Sequence, residues 1–406
     1  MRVSTVQFYQ QSSLQMTNKT SDVNEQSIHI SSGKRVLTAK DDAVQYGTLA
    51  GFNESLANIE KYKRNITMAE NHTSLQEVAF ADVETLLDKV KQDMLLANNG
   101  RMSDEDLQAL ATQMKTSLDQ ILDLANTQDE QGEYVFSGYQ TEQQPFSQQV
   151  DGSVNYNGDS GVNELQISKN ITLATNQPGD STFLNIDNSI GDFSADYTAN
   201  TSGVAVESAN INDRGAYNTS ALPHDYTFTF DAVTNGLTVT GSAGVVFPTP
   251  PTLPVPYAAG DTITFDGIAV TLSGNPLPGD SFTISEEEHI SVFTTINDAI
   301  SWIEQGVVST GQEQHQVDYN TILDQLGSVM SHISSQRADS GIRLQVLESQ
   351  TNRHLDAELN ITTGKSIIED LDFAKAIAEF EQSKVALQAS QQTFSQIQGL
   401  SLFNYI

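Results

Sequence analysis

Between Phe52 and Met94 the chain returns to one helical position every seven residues: Phe52, Ile59, Ile66, Thr73, Phe80, Leu87 and Met94. Three residues after each stand Ser55, Tyr62, Ala69, Gln76, Val83, Val90 and Ala97. That is an imperfect seam at the period of helices wound against one another. The spacing predicts a coiled-coil-like helix over about residues 42 to 98, roughly 85 Å long at ~1.5 Å per residue. Globular cores seldom need that length.

The segment "NNGRMSDED" breaks this helix, and Ser103 is placed to cap the next, with acidic residues in its first turn. Leu107, Leu110, Met114, Leu118, Ile121 and Ala125 supply its apolar stripe, so this flank folds back as a helical hairpin. The C-terminal flank matches it. Tyr319, Leu326, Ile333 and Leu347 share one track, with Leu323, Met330 and Leu344 beside it. After "TTGKS", Phe373, Phe380, Leu387 and Phe394 repeat every seven residues. Two sequence-distant flanks with open seams bury them most simply against each other.

The middle is built differently. All ten prolines lie between Pro145 and Pro278, and from Tyr139 to Ile290 the only bases are Lys169 and Arg214. Such a compositional step marks an inserted domain. "YTFTFDAVTNGLTVTG" and "DTITFDGIAVTLSG" alternate polar and apolar residues and end in glycine turns, as strands do. "FPTPPTLPVPY" between them reads as an extended connector, and "PGDS", at 178 and 278, precedes an aromatic strand each time. The fold class is α+β and multidomain. Residues 1–40 with 366–406 are terminal helices, 41–138 with 291–365 a helical rod, and 139–290 a β-rich outer domain.

A formal net charge of −32 opposes binding to nucleic-acid phosphates and anionic lipid. The absence of cysteine excludes disulfides, thiolate catalysis and thiolate metal sites. The first thirty residues hold no apolar run of signal-peptide type, and no stretch reaches the ~20 apolar residues that cross a bilayer. No two histidines stand four apart on a helix face, and there is no phosphate loop or nucleophile elbow. "EEEH" at 286–289 reads as a solvated acidic run, and Asp261 to Gly267 as a strand-end turn rather than a calcium loop. No catalytic residue, cofactor or metal is assigned, and the expectation is a protein that is not an enzyme.

"SSGKRVLTAKDDA", residues 31–43, is the least regular stretch of the flanks. Gly33 suits a helix stop, and Lys34 and Arg35 complement the negative end of the helix dipole. Val36 to Thr38 favour an extended path, and Asp41 or Asp42 caps the helix carrying the Phe52 seam. Gly33, Lys34, Arg35, Asp41 and Asp42 thus form a helix-strut-helix connector.

With this connector, "MRVSTVQFY", "GEYVFSGYQT" and the ending "DLDFAKAIAEFEQSKVALQASQQTFSQIQGLSLFNYI", the chain resembles the bacterial flagellin family, in its hook-filament junction branch. The likeness covers roughly residues 1 to 140 and 290 to 406. Ala39, Lys40 and Ala43 around the acidic pair are closer to flagellin itself, while "GKRVLT" and "LSLFNYI" favour the junction branch.

The resemblance implies a secreted structural adaptor of the flagellum, exported unfolded by the type III apparatus without a Sec signal. The implied partners are an adjacent hook-associated protein, flagellin, further copies in a ring or helical assembly, and an export chaperone; nucleic acid and membrane insertion are not among them. Residues 1 to about 40 are expected to be disordered in the free monomer and helical in the inner tube of the assembly. Phe373, Phe380, Leu387, Phe394 and Phe403 are the expected assembly interface. The alternatives are a flagellin filament subunit, a secreted coiled-coil adhesin, and an enzyme housed in the middle domain.

Overall fold

The structure is a computed structural model that describes residues 2–403 apart from 151, 198–199, 201, 249–253 and 311. The side chains of 2–6, 8, 307–310, 312 and 397–403 also lie outside what is described. Its helices are α1 Arg2–Ser32, α2 Ala43–Ala97, α3 Asp104–Ala125, α4 Arg214–Tyr217, α5 Val292–Thr310, α6 Gln312–Glu369 and α7 Phe373–Phe403. α5 is kinked at Gly306, which has φ 61°. Two compact units result, Met1–Asn65 with Ser349–Ile406, and Ile66–Glu348. α2 and α6 contribute to both.

In the larger unit the seven-residue seams are filled. Phe80, Leu87 and Met94 of α2, Met114 and Ile121 of α3, Phe293 and Ile296 of α5, and Leu326 and Ile333 of α6 are buried in one core. Ser103 caps α3 in a reciprocal capping box with Asp106. Phe146 joins the helical core, its ring 5.5 Å from Phe183, 5.2 Å from Phe293 and 5.1 Å from Tyr156. Arg337 of α6 donates to Glu77 at 2.9 Å and Glu84 at 2.7 Å on α2.

This seam is not wholly apolar. Thr73 and Gln76 are fully buried at seam positions. Thr73 Oγ1 and both amide atoms of Gln76 lack a hydrogen-bond partner among the described residues. Asp93 is also buried, its carboxylate oxygens each accepting from Gln113 Nε2 at 2.9 Å. Burial pushes the Asp93 carboxyl above the usual carboxylate range, against the Gln113 bond and the charge of Lys89.

The inserted region divides between two cores. β1 Phe146–Gln148 and β2 Val154–Tyr156 form one antiparallel pair, and β3 Glu164–Ser168 and β4 Ile171–Ala174 another. The second packs Leu165, Ile171 and Leu173 against Ile66 and Ala69 of α2 and Leu347 of α6. The first "PGDS" enters a π-helical turn, Asp180–Leu184, not the expected strand, because the Thr182 and Asn185 amides turn back onto Pro178 and Asp180. The second leads into a strand as expected.

β5 Ile186–Asp187 pairs with β15 His289–Ile290. Between them lies a β-sandwich. One sheet holds β6 Phe193–Asp196, β8 Tyr226–Phe230, β9 Gly236–Gly241, β10 Gly244–Phe247, β11 Val255–Pro256 and β14 Ser281–Glu286. The other holds β7 Ala205–Ile211, β12 Thr262–Phe265 and β13 Ile268–Ser273. Phe228 and Phe230 of the first sheet and Phe265 and Val270 of the second share a buried core. The Asp266-Gly267 turn joins β12 to β13 with φ 46° and 81°, left-handed at both positions as a two-residue hairpin requires. The proline-rich connector ends in β11, antiparallel to β9.

Candidate assembly interface and connector

The smaller unit is built from the same kind of helical repeat with the opposite result. Among its described side chains only Val36, Leu49, Ile59, Gln350 and His354 are buried. α1 lies along α7, with Tyr9 edge-on to Phe394 at a centroid distance of 6.2 Å. Phe380, Leu387 and Phe394 are half-buried, and Phe373 is half exposed beside Gly33. The side chain of Phe403 lies outside the described residues. Ile377 and Val385 on α7 and Leu14 and Ile28 on α1 are half or more exposed. Apolar burial is the main compensation for the entropy of ordering a chain, and this unit carries little of it.

At the inner end of this helix pair the chain passes through the connector. Gly33, with φ +70°, ends α1 as its amide donates to the His29 carbonyl at 2.9 Å. Lys34 then forms an antiparallel bridge with Asp370 in the short turn between α6 and α7. The Leu371 amide donates to the Gly33 carbonyl at 3.0 Å, and the Arg35 amide to the Glu369 carbonyl at 2.6 Å. Lys34 Nζ lies 2.6 Å from Glu369, and Arg35 Nη2 donates to the Ile368 carbonyl and to Gln45, both at 2.8 Å. The two bases thus clip one passage of the chain to the other.

The aspartates have separate tasks. Asp41 Oδ2 accepts from the Leu37 amide at 3.0 Å, the Thr38 amide at 2.8 Å and the Thr38 hydroxyl at 3.1 Å. The Thr38 and Leu37 amides hold its carboxyl below the usual range. Asp42 caps α2, its Oδ1 accepting from Val44 and Gln45. Asp372 does the same for α7 through Lys375. The connector is therefore a pre-shaped, hydrogen-bonded strut.

Sequence reasoning did not find Glu369, Ile368 and Leu371 as the connector's partners, because nothing local marks a pairing across more than three hundred residues. It also passed over Glu25 and His29. Their four-residue spacing was the available signal, and they face Asp41 across the strut.

The geometry has known counterparts. A family profile described as "Bacterial flagellin N-terminal helical region" matches residues 3–141, and one described as "Bacterial flagellin C-terminal helical region" matches residues 323–406. The chain is 25% identical over 403 residues to the flagellar hook-associated protein 3 of Escherichia coli K12, covering 99% of both. It is 31% identical over 186 residues to the protein of that name from Salmonella typhimurium, covering 46% of this chain and 58% of that one. The crystal structure of the flagellar junction protein FlgL from Legionella pneumophila superposes with a TM-score of 0.64 at 31% identity, over 79% of this chain and 100% of that one.

Proposed function

Because the chain belongs to the bacterial flagellin family, in the branch of flagellar hook-associated protein 3, we propose that its terminal helix pair is the assembly element of an adaptor between hook and filament. The protein is a structural part of the flagellum. What supports the placement of the interface is the contrast between its repeats. In the larger unit the seven-residue track of Tyr319, Leu326, Ile333 and Leu347 is buried, while in the smaller one the track of Phe373, Phe380, Leu387 and Phe394 is left partly open. Neighbouring subunits and an export chaperone would cover the same face in turn. The family's partners follow on this reading: a hook-associated protein on one side, flagellin on the other, and further copies of this chain around the axis. Among the described residues no helix is long and apolar enough to cross a membrane. Export by the type III apparatus and the role of Phe403 belong to the same proposal, as does the three-part division with 139–290 outermost. The clip of Lys34 and Arg35, the Asp41 turn and the Asp42 cap would keep the connector in one shape where the chain enters and leaves the terminal pair. No catalytic role is proposed.

The test is the double variant Phe380→Ser, Leu387→Ser in a cell lacking the native chain, with immunogold labelling against residues 140–290. Native chain should label a single cluster at the hook-filament boundary. The variant should be exported but leave that boundary unlabelled and the cell without a filament. Normal assembly of the variant would remove α7 from the interface. Label along the whole filament would instead identify a filament subunit, a reading that Ala39, Lys40 and Ala43 in the connector favour.

A further inference from the structure

Glu25 and His29 lie four residues apart on one face of α1, and the connector folds Asp41 against them. One ligand atom from each of the three lies within 4.8 Å of the others. The remaining atoms of two of them are held from outside the group. His29 Nδ1 is 2.9 Å from the Lys34 carbonyl oxygen, which only accepts, so in the neutral ring Nδ1 carries the proton and Nε2 presents its lone pair. Asp41 Oδ2 is taken by the Leu37 and Thr38 donors, which leaves Oδ1 free. Nε2 and Oδ1 face each other at 3.8 Å, beyond hydrogen-bond reach, on side chains only 17% and 11% exposed. Two acceptors held face to face in this way repel each other unless a cation or a proton sits between them.

We infer that Glu25, His29 and Asp41 form a binding site for a divalent cation of the zinc class, with an open fourth position. A ligating histidine characteristically donates its other ring N–H to a backbone carbonyl, as His29 does to Lys34. Ligand bonds of ~2.0–2.2 Å at tetrahedral angles set ligand atoms about 3.4 Å apart, a small closure from 3.8 Å for His29 and Asp41 and one of at most about 1.4 Å for the set. The imidazole nitrogen selects zinc-like ions over the all-oxygen preference of calcium and magnesium. Lys40 Nζ, 3.2 Å from Glu25, competes for that carboxylate, but its side chain is 78% exposed, so water can replace the pair at little cost. A bound ion would fasten the last turns of α1 to the strut.

The experiment is calorimetric titration of the full chain with Zn2+ alone in chelator-free buffer near pH 7, with Co2+ absorption as a second readout. One ion should bind per chain at roughly micromolar affinity. His29→Gln and Glu25→Gln should each weaken it about tenfold or more and abolish the Co2+ bands, while far-ultraviolet circular dichroism stays unchanged. His289→Gln, far along the sequence, should behave as wild type. Glu25 caps no helix, so its variant tests the site even where His29→Gln disturbs the connector. The inference is overturned if wild-type chain shows no saturable binding, or if both site variants bind as tightly as it does.

Discussion

Replacing Gln76 by leucine should stabilise the larger unit, although it alters a residue with no exposed surface. The amide of Gln76 is fully buried, and neither its nitrogen nor its oxygen meets a protein partner among the described residues. A buried polar group without a partner costs about 1–3 kcal/mol, so two such atoms place the penalty at roughly 2–6 kcal/mol. Leucine has nearly the same volume, removes both atoms and adds apolar contact to the seam between Thr73 and Phe80. With a urea slope of about 3 kcal/mol per molar for a unit of this size, the midpoint should rise by roughly 0.7–2 M. Trp302, the single tryptophan, reports the transition, being buried in the same core with its ring 4.1 Å from that of His315. An unchanged or lower midpoint at constant slope would refute the reasoning, since it would mean that the amide is satisfied by ordered water. Gained stability should come with lost definition, since Thr73 alone would then remain of the buried polar layer that penalises one-heptad slips. Amide spectra of the variant should then show additional, weaker peaks for α2.

Three further outcomes follow from the same geometry. Phe146→Ala empties the centre of the aromatic cluster and should cost about 3–5 kcal/mol, read as a lower thermal midpoint of the larger unit. Asp93 titrates above its ordinary range when folded, so the folded state binds its proton more readily than the unfolded chain. That penalty is present near pH 7 and is relieved as pH falls through the raised value toward the ordinary one; Asp93→Asn should raise the urea midpoint at pH 7 and gain progressively less below it. Gly33→Ala meets the Phe373 ring at an ordinary 3.5 Å, so its cost is backbone strain alone, about 1–2 kcal/mol. It should appear as faster amide exchange at Gly33 and Leu371, with the larger unit's thermal midpoint unmoved.

Where the chain's signals are local and periodic, the structure follows them. The Phe52 to Met94 repeat becomes α2, Ser103 caps α3, and the Asp-Gly turn closes the β12–β13 hairpin. The repeat could not tell which stretches of the seam are covered: Ile66 is buried and Ser55 exposed at equivalent clarity of pattern, because burial depends on partners far away in sequence. α6 runs unbroken through "TTGKS" to Glu369. Gly364 lies within that helix, where a Cβ would meet the Phe52 ring at an ordinary 3.4 Å, so it marks neither a turn nor a stop. The terminal aromatic track was legible as apolar spacing, but its half-open state was not, since an unfilled seam and a filled one share one sequence pattern. The cap of α2 was readable as one of the acidic pair, and the structure gives it to Asp42, with Asp41 closing the strut instead; the clip to residues 368–371 was not readable.

That clip has a mechanical consequence. On the proposed reading, load that the terminal helices pass along the backbone to the rest of the chain runs through residues 33–35 or 369–372. There the two backbones run antiparallel, joined by the Gly33–Leu371 and Arg35–Glu369 hydrogen bonds and the Lys34–Glu369 ion pair. Sliding one strand past the other stretches all three bonds together instead of unzipping them in turn. Tension carried along the chain is thereby shared between the two passages.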